Sequence, residues 1–508
     1  MRRDNRSRVV RGALMSALAL CGGCAVGPNY RAPQMAVPDS YEAVRSAREA
    51  APLSQPLPSQ ADLSQWWQQF RDPKLDELIT RALKSNLDLQ SAASRIRQAR
   101  EQEIIAGASR LPSVSATGLA ARLHTNSNPL AALSGGQSGS QSGGSQSGSG
   151  ASSASSGSTA ATLDLYSVGF DATWEADIFG GVRRGIEAAR ANTEAATWQM
   201  RDAQVSLSAE VANEYLALRT TQSRLSIVEQ AARHQQELLE LAGARARTGF
   251  VTELDVNQQR AQLAATTAEI PTLQAQERAQ VHALGVLLGQ EPDALVGELA
   301  SESAVPAVPT QLPVGLPSEL LRRRPDVRRA ERELAAATAE VGVAVANLYP
   351  KFNLLGAVSL AAPTPGKVFE ASSFGNLAAG MISWPVFQGG RVRANVHASE
   401  EQRNQAYLAY RKAVLSALED AEDSLARYTA EQRRLVSLRD SLAAAASSRH
   451  IAEEQYRAGT VTFINVLTAT TSELTAQDQL AQSTQALAQD LVSLYKALGG
   501  GWTEEPVG

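Results

Sequence analysis

The sequence contains one unit twice, and this duplication limits the folds open to it more than any other feature. ALKSNLDLQSAASRIRQAREQEIIAGASRLPSVSATG, from Ala82, aligns without gaps on LLRRRPDVRRAERELAAATAEVGVAVANLYPKFNLLG, from Leu320. Asp88 pairs with Asp326, Ala99 with Ala337, Ala106 with Ala344, Pro112 with Pro350 and Gly118 with Gly356. A second block follows, in which RTGFVTELDV (Arg247 to Val256) matches RAGTVTFINV (Arg457 to Val466). LLG ending at Gly289 matches ALG ending at Gly499, and Trp174 and Trp384 keep the same spacing. The expected segments are therefore a first repeat at 70–289, a Pro-rich connector at 290–316 and a second repeat at 317–499.

Each copy has one layout. A first helix, rich in Ala and charge with an apolar stripe at helical spacing, runs in the second copy from about Glu319 to Leu348 and stops before Pro350. Two strands come next. A very long helix follows, about Arg183 to Ala246 and Val392 to Ala458, then a turn built on R-x-G and a last helix ending at Gly289 or Gly499. At 1.5 Å per residue a helix of ~60 residues reaches about 90 Å, far more than one globular core requires. Val205, Leu207, Val211, Tyr215 and Leu218 fall at three-and-four spacing with small residues between, the pattern of closely packed, coiled-coil-like helices. Helices alone support an elongated structural protein equally well.

The strands separate the readings. Tyr166, Val168, Phe170, Ala172 and Trp174 alternate with Ser167, Gly169, Asp171, Thr173 and Glu175. Phe352, Leu354, Gly356, Val358 and Leu360 share one face of the third strand, with Lys351, Asn353 and Ser359 on the other. The strand from Pro112 and the strand Phe374 to Phe387 alternate weakly. Aromatics near strand ends (Tyr166, Trp174, Trp384) suit a membrane-interface girdle. Four strands cannot close a barrel, and lipid does not tolerate two open edges, so several chains must share one barrel. A small soluble β-domain between helices also fits the alternation. Thr125 to Thr162 is a Ser/Gly-rich, uncharged loop, whereas Ala362 to Ser373 is short.

The N-terminus reads as a targeting segment. Arg2, Arg3, Arg6, Arg8 and Arg11 precede a short apolar run, Ala13 to Leu20, and small residues lead to Cys24. That run is well short of the roughly 20 residues a spanning helix needs. Residues 1–23 are thus expected to be a signal peptide, and the cysteine after small residues resembles a bacterial lipoprotein box, which implies that Cys24 is the acylated first residue of a lipid-anchored segment, 24–69. Cys21 stands where Leu is usual, and an ordinary signal peptide with a bystander thiol is the competing reading. Both cysteines lie here, so an acylated mature chain holds no free thiol for catalysis, disulfides or metal. The 5 histidines (His124, His234, His282, His397, His450) lack metal-ligand spacing. No phosphate loop, nucleophile elbow or zinc-protease motif occurs, and a net charge of -4 gives nucleic acid no electrostatic footing. No catalytic, cofactor or metal residue is assigned.

CAVGPNYRAP, WWQQFRDPKLDELI, LRRRPDVRRAE, SWPVFQGGRVRA, the R-x-G turns and YKALGGGW, in that order, resemble the TolC/OprM-type outer-membrane factors, in particular their lipoprotein, NodT-like branch. The resemblance covers essentially the whole mature chain. It implies a mainly α fold with a membrane β-barrel: a homotrimer with a shared twelve-stranded barrel, a helical tunnel, and an equatorial region from the N-terminal segment, the connector and the tail, 500–508. It implies a passive outer-membrane duct for small molecules, working with a periplasmic adaptor and an inner-membrane transporter of the resistance-nodulation-division (RND) class. Carried over residue by residue, the adaptor-docking tip is Arg247, Gly249, Val251 and Thr252 with Arg457, Gly459, Val461 and Thr462. Thr468 stands where OprM-like members place an Asp, and Thr471 where they place a basic residue. Glu253, Asp255 and Arg260 either supply charge to the candidate tip gate or form solvated helix-face pairs, and the gate is expected to close under weaker electrostatic constraint than an Asp ring imposes. A TolC-like duct for protein secretion and a non-channel coiled-coil lipoprotein are the alternatives.

Overall fold

Proline, asparagine and glycine decide where the helices break. The computed structural model describes residues 25–36, 38, 55–56, 63–125, 161–249, 251–301, 304–309, 311–312 and 322–503. The expected signal 1–23, Cys24, Phe250, most of the Ser/Gly-rich loop and residues 504–508 lie outside the described residues. The elements are β1 (Gln55–Pro56), α1 (Pro73–Ser85), α2 (Leu87–Ala108), β2 (Ser113–Thr125), β3 (Ala161–Ala176), α3 (Gly181–Arg247), α4 (Glu253–Leu287), α5 (Val296–Leu299), β4 (Gln311–Leu312), α6 (Pro325–Ala346), β5 (Lys351–Ala362), β6 (Phe374–Ser383), α7 (Arg391–Arg457) and α8 (Phe463–Ala497). The series helix, two strands, long helix, helix occurs twice, and α3 and α7 are each 67 residues long. Among the described residues no helix is long and apolar enough to cross a membrane.

Several boundaries differ from the sequence reading for local reasons. The first helix of the first copy is interrupted at Asn86. Its side chain accepts from the backbone N–H of Asp88 and Leu89, capping α2, and donates to the Leu287 carbonyl. In the second copy Arg324 breaks the helix, because the residue before a proline is driven out of the α region. That helix then ends at Ala346. The fourth strand stops at Ser383, short of the expected Phe387, since Pro385 has no N–H to give the ladder. Helices α4 and α8 end two residues before Gly289 and Gly499. Those glycines sit past the cap at φ 67° and 74°, where the chain turns left-handed. The next amide then bonds back, Gln290 to the Gly285 carbonyl and Gly500 to that of Tyr495.

The chain forms two compact units that cut across the repeats. The first comprises 1–29, 102–188 and 338–400. It holds an antiparallel sheet in the order β2-β3-β5-β6, so that each repeat supplies one hairpin and β3–β5 joins them. The register places Val114, Val168, Phe170, Trp174, Leu354, Val358, Phe374 and Ile382 on one face, all of them exposed. The opposite face carries Ser113, Ser115, Thr117, Asp171, Thr173 and Asn353, with Thr117 donating to Asp171 at 2.8 Å. Leu119, Leu355, Leu377 and Met381 interrupt it. Duplication reaches single hydrogen bonds: Trp174 donates its indole N–H to the Arg110 carbonyl, and Trp384 donates to that of Leu348. Both acceptors lie two residues before the proline that opens the strand.

The second unit comprises 30–101, 189–337 and 401–508. Its main core draws on the N-terminal segment, the connector and the C-terminal turn together. Trp66 stacks on Tyr495 at 5.2 Å and meets Trp67 and Phe70 edge-on. Asp72 caps α1 through the N–H groups of Lys74 and Leu75, with Pro73 pre-set at the first helical position. Arg71 supplies the reversal before it at φ 53°. Leu295 and Leu299 from the connector are fully buried in the same core, and β1 pairs in parallel with β4. The Gly501 N–H reaches the Leu63 carbonyl.

Tyr215, fully buried, donates to Asp72 at 2.8 Å. Burial, reinforced by that carboxylate, pushes the Tyr215 hydroxyl up to about 12, and burial likewise raises Tyr495 and Tyr410. An acid held above its free value stabilises the fold below that value. Its contribution disappears as pH rises from the free tyrosine value of 10.0 through the folded one. Thermal melts are thus expected to stay level up to about that pH and to fall steeply above it. Tyr215→Phe should lower the neutral-pH melt, by about 1–3 kcal/mol for the orphaned Asp72 oxygen, and flatten part of the alkaline fall. A melt that is unchanged across the alkaline range would contradict this account.

Candidate functional site

The two R-x-G turns close the second unit's long hairpins, and glycine makes both possible. Gly249 and Gly459 follow α3 and α7 at φ 78° and 77°, a region costly for residues bearing a Cβ. After α7 the Gly459 N–H reaches the Tyr456 carbonyl and that of Thr460 the Gln455 carbonyl, each at 3.0 Å. After α3, Gly249 donates to Ala246 at 3.0 Å. Arg247, Thr252, Arg457 and Thr462 are exposed at these turns, and Val251 and Val461 are half-buried.

A small core holds the turns together. Leu238 of α3, Tyr456 of α7, and Phe463 and Val466 of α8 are buried, with Val251 and Val461 packed against them. Arg245 from α3 lies 4.7 Å over the Tyr456 ring and donates to the carbonyls of Tyr456 and Arg457, so one guanidinium satisfies the end of α7. The copies differ in how the next helix begins. Thr252 and Asp255 form a reciprocal capping box at the start of α4. In α8 the matching position is Asn465, and Thr462 makes no side-chain cap.

Among the described residues, none of the five candidate gate residues bonds to another within the chain. Thr468 and Thr471 return their hydroxyls to the carbonyls of Ile464 and Leu467 in their own helix. Asp255 is in the capping box, Arg260 donates to Asn257 at 3.2 Å, and Glu253 is exposed in the first turn of α4. The charge that is buried near the turns lies elsewhere. Glu453 of α7, 6% exposed, accepts from Arg449 at 2.7 Å and faces His234 Nε2 of α3 at 2.8 Å. Arg449 also binds Glu473 of α8, itself buried. Burial alone would raise the Glu453 carboxyl, but Arg449 and His234 together more than offset it and hold it below the usual range.

Sequence reasoning missed this network and one apolar feature. Arg449 and Glu453 stand four apart on one helix face, a legible pair. Glu473 and His234 come from other helices and carry no local signal. Leu254 and Ile464 occupy matching positions just after the two turns, and both are exposed, at 65% and 46%. The pairing of RTGFVTELDV with RAGTVTFINV already aligned them. Among the described residues no group of His, Asp or Glu is arranged to hold a metal ion.

A family model described as outer membrane efflux protein matches residues 78–290 and 316–500. The pyoverdine export outer membrane protein OpmQ of Pseudomonas aeruginosa is 32% identical over 496 residues, covering 98% of each chain. Nodulation protein T of Rhizobium leguminosarum bv. viciae is 29% identical, covering 96% of this chain and 93% of its own. The structure of the outer-membrane channel OprN superposes with a TM-score of 0.83 at 34% identity, over 94% of this chain and 100% of that one. On the extent of these matches, the chain belongs to the outer membrane efflux protein family and is the outer-membrane channel component of an efflux system.

Proposed function

We propose that three copies form one passive, lipid-anchored exit duct for small molecules. The tip docks a periplasmic adaptor, and an RND-class inner-membrane transporter supplies cargo and direction. The observation that carries this reading is the pair of free strand edges, β2 and β6, on a sheet whose apolar face is exposed. In hydrocarbon each unpaired backbone group costs several kcal/mol. Along the order β2-β3-β5-β6 direction alternates, so β6 of one copy meets β2 of the next in the antiparallel sense that every pair within the chain already uses. A duct needs no nucleophile or cofactor; pore width and lining charge set what passes. The coiled-coil lipoprotein alternative gives this sheet nothing to do. The purified protein is expected to run as a trimer and to conduct in planar bilayers. A non-conducting monomer would overturn the reading.

For the tip, the proposal assigns docking to Arg247, Gly249, Val251 and Thr252 with Arg457, Gly459, Val461 and Thr462. The exposed Leu254 and Ile464 add apolar contact for an adaptor. Thr468 and Thr471 contribute little to closure, because their hydroxyls are already bonded within α8. Glu253, Asp255 and Arg260 act locally. The buried ion network then sets the position of α7 and α8 against α3. Glu453→Gln leaves Arg449 short of a partner, at a cost of about 1–3 kcal/mol once its partial exposure is allowed for. Single-channel conductance of that variant is expected to rise several-fold, with Thr468→Ala and Thr471→Ala near wild type. A carboxyl depressed in the folded state stabilises above its free value of 4.5 and loses that effect as pH falls through the folded value. Wild-type conductance should therefore change only below that pH, and the variant should lose the acid step. Unchanged conductance in Glu453→Gln would remove the network from the gate.

A further inference from the structure

The first described residues are seated, not trailing. In the first unit, the Val26 N–H donates to the Phe179 carbonyl at 3.1 Å. Arg184, only 4% exposed, donates from Nε to the Val26 carbonyl at 3.2 Å and from Nη2 to the Gly27 carbonyl at 3.5 Å and to Asn29 Oδ1 at 2.6 Å. Glu187 at 2.7 Å balances its charge. One buried guanidinium thus reads three polar groups of the segment 26–29, which bends at Gly27, a use suited to its planar fork.

The seat is cut to backbone dimensions. A Cβ on Gly27, whose φ is 87°, would lie 2.6 Å from the Gly342 Cα of α6. A Cβ on Gly342 would lie 2.8 Å from the Arg184 side chain, and one on Gly180 2.7 Å from the Ala25 Cα. Three glycines from distant stretches meet where a side chain on any of them would push the segment off. The place is also specific. Phe179 and Gly180 lie in the short loop after β3, near whose end Trp174 stands, and Phe179 stacks on Tyr349 at 4.6 Å. Aromatics at strand ends mark the membrane–water interface.

We propose that residues 25–29 form a docked strap with Arg184 as its positioning residue. On the reading of Cys24 as acylated, on which this rests, the strap fixes the point where the acyl chains enter the lipid, at the foot of β3. A residue bonded to Ala25 starts within about 3.8 Å of it. The anchor then inserts beside the barrel wall instead of ranging at the end of a flexible tether.

The test uses the full-length protein in outer membranes with Val26→Cys as reporter thiol. Maleimide labelling is followed by mass spectrometry of the N-terminal peptide, which reads residues 24 and 26 separately. Residue 26 is expected to label roughly tenfold slower in the folded protein than after denaturation, as closed local structure protects its groups. Gly342→Ala and Arg184→Ala should abolish most of that protection while the trimer persists, and Arg184→Lys should restore only part. A bimane on residue 26 should be quenched by lipid carrying a headgroup-level nitroxide, and less so in Gly342→Ala. Labelling at the denatured rate in the folded reporter protein would overturn the strap, whatever the variants do. Protection at residue 26 with an unmodified Cys24 would leave the strap standing and remove the anchor reading.

Discussion

Backbone amides and carbonyls buried in hydrocarbon have no water to bond, and the architecture of this chain follows from that constraint. Within the chain β3 and β5 each lie between two strands, whereas β2 and β6 each keep one open edge. Sheets in water blunt such edges with charge, proline or bulges. Here proline enters only after β6 has ended, so the edge itself is left clean for pairing. The duplication is the economical way to build this: two hairpins from one unit give an even number of strands, and an even number lets copies join in a single antiparallel sense.

The second unit solves a different problem, that of tying three remote segments to the long helices. Trp66 on Tyr495, Tyr215 on Asp72 and the connector leucines do so with aromatic area and a few buried hydrogen bonds. Arg324 works alongside them. Its guanidinium grips Asp326 through two nitrogens and also reaches Asp420 and the Ala497 carbonyl. The motif LRRRPD is therefore a clasp between α6, α7 and the end of α8.

What the sequence made legible were features with a period or an obligatory backbone geometry. The strand faces followed from alternation in Tyr166 to Trp174, and the turns from Gly249 and Gly459. The errors fell where one residue decides locally, as at Asn86, Arg324 and Pro385. The candidate site was half legible. Its turns and their exposed residues were in view, but the charges that are buried beside them were not. Thr468 and Thr471 drew attention by differing from a family pattern, whereas Arg449, Glu453, Glu473 and His234 meet only after three helices pack. Side-chain partners far apart in sequence leave no periodic trace, and no amount of local pattern recovers them.

The two turns also differ in a way the duplication did not require. One helix start is locked by a reciprocal Thr252–Asp255 cap, while its counterpart begins at Thr462 with no side-chain cap at all. A helix with unsatisfied first-turn amides frays more readily. Of two hairpins built on one pattern, the first thus starts its second helix under a side-chain lock and the second starts it on backbone bonds alone. The two halves of the duplication therefore need not loosen together, because the side-chain lock on one helix start is missing from the other.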